Sequence, residues 1–253
     1  MIDLHSHLLP AVDDGSRSVE QSVKVLREMA LRGVTDVCLT PHMQARVSEA
    51  GPPEAHHRAF GALLAVAPPH PRLHRGAEVM LDRPITRAVA IARNITLGGS
   101  RYILVEFPRM VAFDIAISAL SRVVEVGLVP VLAHPERYSC CSVEAVRRWR
   151  SLGARTQIDA TTLLAASARG QRARQLISEG LGDIVAGDNH GDDRSVATGA
   201  QFLAAQGGDE QAELLTVTNP AAILADGETT PPPPLRIRES WIRRIRHFLE
   251  GGK

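Results

Sequence analysis

The chain has only three cysteines in 253 residues, Cys38, Cys140 and Cys141, two of them adjacent, so it has no disulfide framework to rely on and reduced thiols are expected. Aromatic residues make up 4%, and lysine occurs only at Lys24 and Lys253, which leaves arginine to supply nearly all the positive charge. A formal net charge of +1 removes the electrostatic basis for broad nucleic-acid binding. Apolar runs are interrupted by arginine or glycine before they are long enough to cross a bilayer. The start, Met1-Ile2-Asp3-Leu4-His5, lacks a basic stretch followed by an apolar one, so no secretory signal is read and a cytoplasmic location is the expectation. What remains is a hydrophobic share of 44%, enough for a sizeable core, in a length that suits one large α/β barrel or two smaller domains.

Strand-like apolar runs fall at residues 2–5, 35–40, 73–79, 102–107, 129–133, 155–158 and 184–186. Helical patterns alternate with them, clearest at 19–32, 115–126, 143–152 and 173–179, with Gly33, Gly127, Gly153 and Gly180 placed as C-terminal stops. Strands apolar throughout and separated by helices imply a parallel sheet covered on its outer face. About seven such units close more naturally into a barrel than they extend as an open sheet. The barrel is expected to occupy residues 1–226. Residues 227–234 read as a linker, because glycine, threonine and a run of prolines cannot continue a helix. In the tail, 235–253, Ile237, Trp241, Ile245 and Phe248 fall on one helical face among Arg236, Arg243, Arg244 and Arg246. Such a basic amphipathic segment has two readings: contact with a membrane surface or partner, or packing back onto the barrel.

The chemistry is carried by side chains that recur where strands end: His5, His7, Asp14, His42, Glu78, Glu106, His134, Asp188 and His190. Imidazole and carboxylate are the ligand set of divalent manganese, iron or zinc. His5 and His7 lie two apart, so on a strand they share a face and can approach one ion. Glu78 and Glu106 each close an apolar stretch, where an unpaired carboxylate would be costly; pairing with arginine is the other reading. Asp14 stands in Asp13-Asp14-Gly15, which also makes an ordinary turn. A single closed zinc site takes about four ligands, so this set suits two or three ions with open positions, an arrangement that serves phosphoryl hydrolysis. Arg137, three residues after His134, is suited to a bidentate contact with phosphate oxygens, or else to a surface ion pair. A competing signal is Cys141 followed after five residues by Arg147, the bare spacing of a cysteine-dependent phosphatase. The intervening Ser-Val-Glu-Ala-Val has no glycine-rich cradle, and Glu144 would repel a phosphate, so the spacing reads as coincidence.

Six fragments carry a family resemblance: Ile2-Asp3-Leu4-His5-Ser6-His7-Leu8-Leu9-Pro10, Val12-Asp13-Asp14-Gly15, Ser18-Val19-Glu20-Gln21-Ser22, Thr40-Pro41-His42, Glu106-Phe107-Pro108 and His134-Pro135-Glu136-Arg137-Tyr138. Over residues 1–226 the chain resembles the PHP superfamily, and within it the bacterial capsular-polysaccharide-type protein-tyrosine phosphatases. The resemblance implies a PHP-type distorted (β/α)7 TIM-like barrel. It implies a trinuclear metal centre usually associated with manganese. It also implies hydrolysis of phosphotyrosine on a protein, a tyrosine kinase that controls exopolysaccharide synthesis. By position, His5, His7, Glu78 and Asp188 would hold one ion, Glu78, Glu106 and His134 a second, and Asp14, His42 and His190 a third. Arg137 matches a phosphate-binding arginine. Arg194 is aligned with a second one across a shortened spacing, and His42 is also a candidate acid for the leaving oxygen. The chain departs from the pattern at Gly187-Asp188-Asn189-His190, where Ser-Asp-Ala-His is usual, and at Gln157-Ile158-Asp159-Ala160-Thr161. Two alternatives accompany this reading: a small-molecule phosphatase such as histidinol phosphatase, and a metal-stabilised interaction module that recruits membrane partners through the arginine-rich tail.

Overall fold

The computed structural model describes residues 1–238; the tail positions Trp241, Arg243, Arg244, Ile245, Arg246 and Phe248 lie outside the described residues. The strands are β1 (Ile2–Ser6), β2 (Asp36–Leu39), β3 (His42–Gln44), β4 (Arg72–Arg75), β5 (Glu78–Met80), β6 (Tyr102–Glu106), β7 (Val129–Ala133), β8 (Arg155–Asp159) and β9 (Ile184–Ala186). Every pairing is parallel, in two sheets ordered β1-β2-β4 and β3-β5-β6-β7-β8-β9.

The apolar runs at 35–40 and 73–79 continue beyond single strands. Pro41, which has no N–H to donate to a ladder, separates β2 from β3. Gly76 and Ala77 separate β4 from β5, and a Cβ on Gly76 would stand 2.9 Å from Cys38 Sγ and 3.1 Å from Thr40 Cγ2, too close for any other residue without displacement. Each of these two chain lines therefore leaves one sheet and enters the other, which gives the seven strand lines expected of a (β/α)7 unit. Where β1 meets the end of β9, the link is one isolated parallel bridge, Ser6↔Asn189, with His7 N donating to Asn189 O at 2.7 Å. Among the described residues no continuous ladder closes that seam, so the barrel is distorted.

Period-two alternation sorts side chains to the two faces. Ile2, Leu4, Tyr102, Leu104, Val131, Ala133 and Ile184 pack together on the inside with Ile223. Val37, Val79, Ile103, Val105, Leu132, Ile158 and Val185 face outward against helix residues that include Leu26, Leu120, Val146, Trp149 and Phe202. Helices Val19–Leu31, Val143–Ser151 and Ala168–Ser178 start where Ser18, Ser142 and Ser167 accept a backbone N–H, satisfying donors that a first turn leaves free. The expected stops at Gly33, Gly127, Gly153 and Gly180 all have positive φ.

Helices Glu54–Leu64 and Val196–Ala205 gave no clear sequence pattern. The first buries only Leu63, and the second is rich in alanine and glycine and shows no polar face of regular period. Beyond residue 226 the proline-rich stretch lies against the N-terminal ends of the strands. Tyr102 Oη donates to Gly227 O at 2.7 Å, Gln211 Nε2 to Pro233 O at 3.2 Å, and Leu235 is buried. No helix of the described residues is long and apolar enough to cross a membrane.

Trp149 is fully buried between its helix and the strands. Trp149→Ala is expected to lower unfolding free energy by about 3–5 kcal/mol in a urea titration followed by circular dichroism. A loss below about 1 kcal/mol would contradict the two-layer packing.

Candidate metal centre

The inner faces of β6, β7 and β9 stay apolar along the strand, and polar side chains take over at the C-terminal ends. Glu106 follows Leu104 two residues on along β6, Glu78 opens β5, His134 comes immediately after β7, and Asp188 follows β9 after Gly187. His5 and His7 lie in and just after β1. His134 and Asp188 hold φ of +34° and +48°, a left-handed backbone that non-glycine residues adopt at a cost of about 1–3 kcal/mol. The turn turns each side chain back over the barrel mouth. His5, His7 and Glu78 have no exposure, Asp188 has 1% and His134 5%. His42 is exposed at the rim, with Asp14 beside it.

Donor atoms converge where hydrogen bonding is incomplete. Glu78 Oε2 is buried without a hydrogen-bond partner, yet it stands 3.3 Å from both His5 Nε2 and His7 Nε2 and 3.1 Å from His42 Nδ1. Asp188 Oδ1 is 3.3 Å from His5 Nε2 and 3.4 Å from His7 Nε2, and those two ring nitrogens are 3.2 Å apart. The opposite ring nitrogens are already committed. His5 Nδ1 donates to Gln157 Oε1 at 3.0 Å, His7 Nδ1 to Asp13 Oδ2 at 2.8 Å, and His190 Nδ1 to Asp188 O at 2.9 Å. In the neutral rings these bonds leave the Nε2 lone pairs facing the cavity, as outer partners of metal-ligating histidines do. The donor set therefore fits divalent cations.

All nine side chains singled out in the sequence fall into four overlapping groups whose donor atoms lie within 4.8 Å of one another. The groups are His7, Asp14, His42 and His190; His5, Glu78 and His134; His5, His7 and Asp188; and His42, Glu78 and Glu106. These groups do not coincide with the division expected from resemblance: Glu106 gathers with His42 and Glu78, His134 with His5 and Glu78, Glu78 is not grouped with His7 and Asp188, and His7 also joins Asp14, His42 and His190.

Burial opposes charge on His5, but Glu78 and Asp188 overcome it and raise the ring above its ordinary range; His7 is raised in the same way by Asp13, Asp188 and Glu78. His42 is lifted to about 10, with Glu106 and Glu78 outweighing desolvation. Asp188 and Glu78 are held below the usual carboxylate range against their burial, first by the His5 charge. Protons on the imidazoles thus balance the carboxylates, and a cation entering the cluster would displace them.

Arg137 reaches the cluster from the turn Pro135–Arg137, pairing with Asp159 and Asp188, and both carboxylates hold its guanidinium charged against burial. Arg194 lies at the same edge, with Nη1 3.8 Å from Asp188 Oδ2 and Nη2 2.8 Å from Asp192.

Four supporting residues were not singled out in the sequence. Asp13 also accepts from the N–H groups of His42 and Gly15, and these bonds with His7 bring it down to about 2 despite burial. Gln157 Oε1 also accepts from His134 N at 3.3 Å. Asp159 caps helix Ala160–Leu164, and its own N–H is accepted by Glu136, a carboxyl that burial pushes up to about 8. The usable signals were a polar Gln157 inside a buried strand and an acid at Asp159 two residues before Thr161.

Cys141 is buried, which pushes its thiol up to about 12, and Arg147 pairs with Glu179 at 2.7 Å on the surface. A thiol held protonated is no nucleophile at neutral pH, so the cysteine-arginine spacing has no catalytic content.

Comparison with known proteins gives this site its family. Residues 1–225 match the family model described as capsular polysaccharide synthesis, CpsB/CapC. The chain belongs to the CpsB/CapC family. Relatives include the tyrosine-protein phosphatase CpsB of Streptococcus agalactiae, 28% identical over 88% of this chain and 98% of its own length. CpsB of Streptococcus pneumoniae is 29% identical over 89% of this chain and 99% of its own. Among solved structures, one from the crystallographic description of Bacillus subtilis YwqE and S. pneumoniae CpsB, metal-dependent tyrosine phosphatases, superposes with a TM-score of 0.77 at 25% identity, covering 94% of this chain and all of that one.

Gly15 makes this family's site intolerant at one unexposed contact: a Cβ there would collide with the His7 carbonyl oxygen and with His7 Cβ. A divalent cation is expected to raise the melting temperature of the parent protein, and Gly15→Ala, by displacing His7, is expected to abolish that rise. An unchanged rise, read by differential scanning fluorimetry, would show that His7 is not held by this contact.

Proposed function

We propose that the chain is a metal-dependent protein-tyrosine phosphatase, a hydrolase of phosphoric monoesters whose substrate is a phosphotyrosine-containing protein. The carrying observation is the buried convergence of imidazole and carboxylate donors on the orphaned Glu78 Oε2, in a chain belonging to a family of named tyrosine phosphatases. The nine residues His5, His7, Asp14, His42, Glu78, Glu106, His134, Asp188 and His190 would hold two or three divalent ions, a donor set that suits manganese, iron or zinc, with manganese favoured by the family resemblance. Ions held there would supply Lewis-acid charge at the phosphoryl oxygens and lower the pKa of water.

The chain's own contribution is positioning. Arg137, charged and fixed between Asp159 and Asp188, presents a planar fork suited to two oxygens of a phosphate, and Arg194 stands at the same edge to take a third. His42, protonated when no cation opposes it and exposed at the mouth, is placed to give a proton to the leaving oxygen or to act as a ligand. A buried, protonated Cys141 supports direct attack of water on phosphorus rather than a phosphocysteine step. We further propose that the substrate is a tyrosine kinase acting in exopolysaccharide synthesis, in keeping with the capsule-synthesis description of the family, and that the protein works on the cytoplasmic side, with its basic tail beyond residue 238 available to a membrane or partner.

The test compares turnover of a phosphotyrosine peptide with that of histidinol phosphate, in the parent and in Cys141→Ser. Preference for the peptide, full activity in Cys141→Ser and loss of activity with a strong chelator are expected. Preference for histidinol phosphate would move the enzyme to small-molecule chemistry, and chelator-resistant turnover lost in Cys141→Ser would replace the metal mechanism by a thiol one.

A further inference from the structure

The metal centre is not closed on all sides. From His42 and Glu106 a cleft of about 640 Å³ runs outward, continued by Val47, Pro53, His56 and Met80. Its position is set by strand register. His42, Glu78 and Leu104 occupy one row across β3, β5 and β6, and Gln44, Met80 and Glu106 occupy the row two residues nearer the mouth. Two strand residues rise roughly 6–7 Å, so Met80 stands about one phenoxy length beyond His42 and Glu78. Period two keeps Met80 on the same face as Glu78 and Glu106, which aims an apolar side chain at the space just outside the cluster.

The cleft wall contrasts with the cluster. Val47, on the turn Ala45–Ala50, is 48% exposed, and Met80 is half-buried. Among the described residues nothing covers this apolar valine beside a site so polar, and methionine adapts its shape to a flat ring. Burial pushes His56 below its ordinary range, so it borders the cleft as a neutral ring. Phosphoserine would leave this wall unfilled, because its side chain is too short to carry the peptide from the inner row to beyond the outer one.

We propose that the cleft of Val47, Pro53, His56 and Met80 is the seat of the substrate's phenol ring, and that it selects aryl over alkyl phosphates. The inference rests on the phosphatase reading and specifies what that reading leaves open, namely how the leaving group is recognised. The phosphate lies against Arg137 and the inner row, the ring lies along Met80 and Val47, and the peptide backbone emerges past Pro53. Such a division makes ring contacts separable from phosphate contacts.

The test uses the full chain loaded with manganese and the double variant Val47→Ser/Met80→Ser, with Met80→Leu as the volume-conserving control. Initial rates are measured on a phosphotyrosine peptide, with inorganic phosphate as competitive inhibitor and metal content determined for each protein. In the double variant kcat/KM for the peptide is expected to fall about ten-fold or more, and in Met80→Leu, which keeps an apolar wall against the ring, to fall by less. Metal content and the inhibition constant for inorganic phosphate are expected to remain unchanged, because neither senses the ring. Equal kcat/KM in parent and double variant overturns the cleft assignment while leaving the phosphatase reading intact. A parallel loss of metal or of phosphate affinity also overturns it, since the residues would then be supporting the metal centre. Failure of the parent to turn over any phosphotyrosine peptide overturns the phosphatase reading and the cleft with it.

Discussion

The structure depends on one electrostatic constraint: carboxylates Glu78 and Asp188 meet His5 and His7 at the end of an apolar barrel where none of the four is exposed by more than 1%. Unpaired anions there would be strongly destabilising. Protons on the imidazoles meet part of the demand, but the arrangement leaves Glu78 Oε2 without a hydrogen bond and aims several ring nitrogens at the same volume. Multivalent cations resolve both problems at once. Much of the local backbone serves that convergence, including the left-handed turns at His134 and Asp188 and the seam bridge that ties Ser6 to Asn189, between the two ends of the donor set.

The supporting interactions tie the centre to the rest of the fold. Asp13 links the ring of His7 to the backbone of His42, and Gln157 links the ring of His5 to the backbone of His134. Each is a single polar side chain that fixes two site residues from different strands. Arg137 is held in two steps, Glu136 accepting the backbone N–H of Asp159 and Asp159 pairing with the guanidinium. The arginine fork is thus oriented by residues whose own positions are set by β8 and the helix that follows it.

Much of this was legible in the sequence because ligands placed at strand ends interrupt apolar runs. Glu106 after Tyr102-Ile103-Leu104-Val105 is conspicuous, and all nine proposed donors come together in space. What was not legible follows from distance and geometry. The break between β4 and β5 comes from the close approach of Gly76 to Cys38 and Thr40, residues more than thirty positions away, which periodicity cannot reveal. Strand β3 is three residues long and alternates too briefly to be read. The pairing of Glu106 with His42 rather than His134 depends on the register of β3, β5 and β6. Asp13, Gln157 and Asp159 gain their roles only from the partners they reach.

The central claim is that the buried cluster is a cation site, and calorimetric titration of manganese into metal-free protein tests it most directly. Repeating the titration in buffers of different ionisation enthalpy counts the protons released. The account predicts more than one equivalent of manganese bound near neutral pH, with proton release as His5, His7 and His42 give up their protons, and weakened binding in Glu78→Gln. Absence of binding, or uptake in Glu78→Gln indistinguishable from the parent, would contradict it.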